Sequence, residues 1–112
     1  MFVIKMDVKL AMAVLPANLN IDLEHMAEVT ESRKAVLASE EEFMDQFPDC
    51  DVGAMPPFGH LYGMSVYVAD ELVEDRVIAF NAGPHSQLIQ MEYHDFERFV
   101  RPHIIEFAEA LA

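Results

Sequence analysis

Residues 52–60 read Val52-Gly53-Ala54-Met55-Pro56-Pro57-Phe58-Gly59-His60. Two prolines and two glycines so close together exclude a helix interior and a central strand. Pro56 and Pro57 fix their own φ angles and push the residues before them towards extended backbone. Gly53 has no side chain to keep a ligand away from the main chain. The stretch is therefore a stiff loop. It is either a rigid connection between strands or a cradle of backbone N–H groups around Gly53 and Ala54, aimed at a carbonyl or oxyanion. Met55 and Phe58 either line a small pocket or pack beneath the loop.

On the N-terminal side of this loop, Phe2–Met6 and Lys9–Leu15 read as strands joined around Asp7-Val8. Leu10–Leu15 is apolar on both faces, the pattern of a central strand. Pro16 ends it. Asp22 suits the N-cap of a helix running to about Thr30, with Leu23, Met26 and Ala27 on one face. Lys34–Ala38 is a short strand. Ser39 and Glu42 form a capping box for a second helix, with Phe43 and Phe47 beneath it and Pro48 as its stop.

On the C-terminal side, Ser65–Ala69 and Arg76–Phe80 read as strands separated by an acidic turn at 70–75. Asn81–Pro84 is a turn, Gln87–Met91 a strand, and Tyr93–Arg101 a helix with Phe96, Phe99 and Val100 as its apolar stripe. Glu97 and Arg101 are spaced to pair at i, i+4. Pro102 suits the first turn of a final helix burying Ile105, Ala108 and Leu111. Strands interleaved with helices and joined by short turns predict an α+β fold in a single domain spanning residues 1–112.

Twenty acidic residues against seven basic ones give a net charge of −13. Such a surface repels a polyanion and argues against broad contact with a nucleic-acid backbone. No apolar run approaches the ~20 residues of a membrane span, so no membrane partner is expected. The lone Cys50 has no internal disulfide partner. With no signal-peptide pattern, these features predict a cytoplasmic, reducing location. Cys50 lies between Asp49 and Asp51, which disfavour a thiolate, so it is a poor nucleophile. The five histidines do not fall at metal-binding spacings. His25, His94 and His103 read as surface or helix-end residues.

A second stretch, Phe80-Asn81-Ala82-Gly83-Pro84-His85, places a histidine just past a tight turn. VGAMPPFG at 52–59 and FNAGPH at 80–85 together resemble the YbaK/ProX family. AVLPA at 13–17, IDL at 21–23 and YHDFERFVRP at 93–102 fit the same pattern in order. The family comprises aminoacyl-tRNA deacylases related to the editing domain of bacterial prolyl-tRNA synthetases. The resemblance implies a mixed, curved, partly barrel-like β-sheet flanked by helices. It implies hydrolysis of a mischarged aminoacyl-tRNA ester, with a small amino acid on a proline tRNA, and no metal or other cofactor. The implied partners are the aminoacyl-tRNA 3′ end and prolyl-tRNA synthetase.

On this resemblance, Gly53 and Ala54 supply the catalytic backbone, while Met55, Pro56, Pro57, Phe58, Gly59, Gly83 and His85 surround the substrate. His85 shapes the amino-acid pocket rather than acting as a base. Asn81 is explained by its turn, and Asp22 by helix capping. The family often has an aspartate where this chain has Ala69, with Asp70 one place later. Its functional lysine aligns just before Met1, and Lys5 falls on the opposite strand face. From this follow the expectations of weak activity and of an uncovered N-terminal strand through which the chain forms a homo-oligomer. The alternative is a non-catalytic binding or regulatory module that retains the fold.

Overall fold

The computed structural model describes residues 2–16, 18–43, 58, 63–82 and 87–110. Strands β1 (Phe2–Met6) and β2 (Lys9–Val14) pair antiparallel, with Met6 opposite Lys9 across the turn at Asp7-Val8. Asp7 takes a left-handed φ of 57°, a backbone setting that short hairpin turns demand and aspartate tolerates. Its Oδ1 accepts the amides of Arg33 (3.0 Å) and Lys34 (3.1 Å), and its own N–H donates to the Lys34 carbonyl. The hairpin is thereby tied to the segment that leads into β4 (Ala35–Leu37), which pairs antiparallel with β1.

Short strand β3 (Leu19–Ile21) precedes helix α1 (Leu23–Val29). Asp22 Oδ1 accepts the His25 amide at 3.1 Å, so the expected N-cap is present. Helix α2 (Glu40–Phe43) follows β4, and the remainder of its expected course, including Phe47 and Pro48, lies outside the described residues. Strand β5 (Ser65–Ala69) runs parallel to β2 and leads into a 3₁₀ turn at Asp70–Glu74. Strands β6 (Val77–Ala82) and β7 (Gln87–Glu92) form an antiparallel ribbon, followed by helix α3 (Tyr93–Val100).

The expected C-terminal helix is replaced by two strands, β8 (His103–Ile105) and β9 (Ala108–Ala110). Arg101 adopts a left-handed φ of 54° and ends α3. Beyond Pro102, β8 finds a parallel partner in β5, with Val68 opposite Ile104, and β9 pairs with β3. Phe107 between them is fully buried, and its carbonyl accepts the Asp22 amide at 2.7 Å. These long-range partners outweigh the helical spacing of Ile105 and Ala108, a local preference that tertiary pairing readily overrides.

Sheet order is β4-β1-β2-β5-β8, with the β3–β9 and β6–β7 ribbons separate from it. β2 is central, as its two apolar faces predict. Alternation sends Val3, Met12, Val14, Val66 and Val68 to one face, where they pack against Ile78 and the Tyr93, Phe96 and Val100 side of α3. Ile4, Met6, Ala11, Ala13 and Ala69 take the other face, against Met26 of α1 and Phe107. Each fully buried large side chain, such as Met12 or Phe96, contributes ~1.5–3 kcal/mol of burial.

The chain is thus α+β, with helices flanking a multi-stranded sheet. The described strands form an open sheet rather than a closed or curled one, because β4 and β8 end as its two edges. The expectation of an uncovered N-terminal strand is not met. β1 lies between β4 and β2, with Val3 and Ile4 buried, so backbone pairing on both sides leaves it no free edge for a second copy. Among the described residues, no helix is long and apolar enough to cross a membrane.

Candidate functional site

Phe58, the described residue of the 52–60 stretch, is half-buried on the α3 side of the sheet. Its ring meets Phe80 of β6 edge-on at 5.4 Å and Phe99 of α3 edge-on at 5.3 Å. It also lies 6.3 Å from Phe96 in a tilted arrangement. Edge-to-face pairs of this kind are each worth ~0.5–1.5 kcal/mol beyond area burial. These contacts place the Phe58 ring against the aromatic side of the core formed by β6 and α3. Phe80 lies three residues before Gly83, so the same contact joins the glycine–proline stretch to the strand that leads into the glycine–histidine turn.

Phe99 departs from its expected place in the apolar stripe of α3. It is 53% exposed, whereas Phe96 and Val100 are buried. A hollow of about 530 Å³ lies beside it, lined by Asp95, Arg98, Phe99 and Arg101. The expected Glu97–Arg101 side-chain pair is absent. Glu97 Oε1 instead accepts the Tyr93 hydroxyl at 3.3 Å, and the Arg101 contact is its amide donating to the Glu97 carbonyl. Burial first, then the Glu97 charge and hydrogen bond, push the Tyr93 phenol up to about 12.

Lys5 sits two residues beyond Val3 on β1 and so shares the sheet face on which Phe58 packs. Its Nζ pairs with Glu42 Oε2 at 2.8 Å. Glu42 Oε1 accepts both the amide and the hydroxyl of Ser39, at 3.0 and 3.1 Å. The Lys5 bond, then the two from Ser39, hold the Glu42 carboxyl down at about 2. The capping box was readable from residues 39–42, but its lysine partner was not. Only the β1–β4 pairing brings position 5 to position 42.

Gly53, Ala54, Met55, Pro56, Pro57, Gly59, Gly83 and His85 lie outside the described residues, as do Cys50 and His60. Asn81 belongs to β6 rather than to a turn, because the ladder with β7 continues through Asn81–Leu88 and Ala82–Gln87. His25 packs its Nδ1 3.7 Å from Glu28 on the surface of α1. His94 is exposed on α3. His103 is exposed on a strand rather than a helix, and its ring stacks on Tyr67 at 5.1 Å. Ala69 is fully buried among apolar neighbours, so its position holds no acid, and Asp70 lies exposed at the start of the 3₁₀ turn. The neighbouring Asp70 carboxyl raises the Glu71 carboxyl, and the negative charge of Glu106 adds to that effect.

No curated protein matches the chain. Its fold recurs in solved structures of low identity. A protein described as a signal transduction protein from Marinobacter aquaeolei VT8 matches with a TM-score of 0.81 at 19% identity, over 96% of this chain. A scaffold used for computational grafting of linear epitopes matches at 0.80 and 14% identity over 97%. The hypothetical protein APE2540 matches at 0.83 and 15% over 96%. The chain spans 24% of the Marinobacter protein's length and 71% of each of the other two. At the level of sequence, the profile of the aminoacyl-tRNA editing domain matches residues 1–99, a span that takes in both glycine stretches and the α3 residues against which Phe58 packs. The chain belongs to the aminoacyl-tRNA editing domain family.

Proposed function

We propose that the chain hydrolyses the ester of a mischarged aminoacyl-tRNA, with a small amino acid on a proline tRNA as substrate. A binding pocket separates amino acids that differ by one methylene by only ~1–3 kcal/mol, so a synthetase mischarges and a second sieve has to remove the error. In the reaction, water attacks the ester carbonyl carbon. The bond from that carbon to the terminal ribose oxygen breaks, and the water proton passes to the ribose. Backbone N–H groups at Gly53 and Ala54 hold the carbonyl oxygen as it gains charge, a contribution of ~10²–10³ in rate for one well-placed donor. Met55, Pro56, Pro57, Phe58, Gly59, Gly83 and His85 surround the small side chain. The partners in this reading are the aminoacylated 3′ end and, as the source of the mischarged tRNA, prolyl-tRNA synthetase in the cytoplasm.

The observation that carries the reading is the Phe58–Phe80 contact, which supports bringing the glycine–proline loop and the glycine–histidine turn to one side of the sheet. A second reading, a regulatory module that binds without turnover, draws on the recurrence of the fold within a much longer protein described as a signal transduction protein. Incubation with a minimal acceptor-stem RNA carrying alanine separates the two. Release of free alanine, lost in Gly53→Val with an unchanged far-UV circular dichroism spectrum, is the expected result. An intact ester after incubation with the wild-type protein sinks the hydrolytic reading, and full turnover in Gly53→Val sinks the backbone cradle.

A further inference from the structure

We infer that Arg98, Arg101 and Phe99 form a binding surface for the single-stranded 3′ end of an RNA, with the arginines on its phosphodiesters and the Phe99 ring beneath a base. The inference rests on the proposed function, because it assigns the polynucleotide side of the same substrate. Asp95, Arg98 and Arg101 follow one another at three-residue spacing along the exposed side of α3 and its C-terminus, and with Phe99 they line the 530 Å³ hollow. Only seven basic residues stand against twenty acids in the chain, and two of the seven meet here. Among the described residues, neither arginine is in an ion pair, whereas Lys5 is neutralised by Glu42.

Phe99 connects this patch to the candidate site. Its ring touches Phe58 at 5.3 Å, yet it remains 53% exposed. An exposed aromatic between cations matches the way single-stranded nucleic acid is held, by charge along the backbone and by ring stacking under the bases. The overall acidity then has a function in selection. It repels the duplex body of an RNA and leaves a short complementary patch for a strand end beside Phe58. Arg101 keeps its place at a backbone cost, because its left-handed φ of 54° is one that glycine would take without strain.

The test uses fluorescence anisotropy with an uncharged acceptor minihelix ending in a 3′ CCA overhang, titrated at several NaCl concentrations. The double variant Arg98→Gln/Arg101→Gln is expected to bind more weakly, with its log K against log salt slope shallower by about 1.4, two single-strand phosphate contacts. Asp95→Asn is expected to tighten binding about twofold to fivefold by removing a carboxylate from the hollow. A blunt-ended minihelix is expected to lose the contribution of the arginines. An unchanged slope in the double variant, no binding by the wild type at low salt, or an equal arginine effect on the blunt RNA each overturns the inference.

Hydrolysis of 2′(3′)-O-alanyl-adenosine, which has no phosphodiester, separates this inference from the proposed function. The double variant is expected to keep wild-type turnover of that ester. Loss of its turnover would mean that the arginines support the loop rather than the RNA, and would overturn the inference. A wild-type protein that binds the overhang through the arginines but cleaves neither ester would leave the surface standing and remove the editing reading.

Discussion

Replacing Phe58 by alanine tests whether the core supports the backbone cradle proposed at Gly53 and Ala54. The ring makes two edge-on contacts, with Phe80 at 5.4 Å and Phe99 at 5.3 Å, and a tilted one with Phe96 at 6.3 Å. The two edge-on pairs are worth ~1–3 kcal/mol together. Removing a half-buried phenyl ring adds about half of the ~3 kcal/mol of a fully buried one. On the proposed function, the combined loss of about 3 kcal/mol bears on whether the loop is docked, and corresponds to roughly a hundredfold shift. If the docked loop is the reactive one, kcat/KM for an alanylated acceptor-stem RNA should fall by about 10- to 100-fold. Phe58→Leu, which keeps most of the apolar volume but none of the ring edges, should recover a large part of the loss. The assay is single-turnover release of labelled alanine, run beside urea unfolding of each variant. An alanine variant with wild-type kcat/KM and a urea midpoint lowered by the full amount would refute the reasoning, because Phe58 would then be core filling and nothing more.

Three other outcomes are expected. His85→Ala should change which small aminoacyl group is released fastest more than it changes the melting temperature; a large fall in melting temperature with an unaltered preference would make His85 structural. Glu42, at about 2 in the folded chain against an ordinary 4.5, adds stability that is complete above pH 4.5 and is lost as pH falls towards 2. Glu42→Gln should therefore flatten acid unfolding across that window, and an unchanged acid limb would show that the Lys5 bond contributes nothing there. Tyr93, raised from 10 to about 12, favours the folded state fully below pH 10 and loses that preference as pH climbs to 12. Ultraviolet titration should show one phenol ionising late, and Tyr93→Phe should remove it; survival of the late transition in that variant would assign it to another tyrosine.

Most local structure was legible in the residues. The alternation at 2–14, the Asp22 cap, the Ser39–Glu42 box and the Phe96–Val100 stripe each act over a few positions, where backbone geometry ties side-chain type to conformation. The family was legible as well, and the matched span of residues 1–99 includes both glycine stretches that carried the resemblance. Tertiary structure decided what depended on distant partners. His103–Ile105 became a strand because β5 offered it a parallel edge, although its own spacing suited a helix. The two-sided pairing of β1, between β4 and β2, closed an edge that the residues of β1 by themselves leave open. Lys5 met Glu42, and Phe58 met Phe80 and Phe99, because sheet order and crossovers set which distant positions become neighbours, and no periodicity within a short window encodes that.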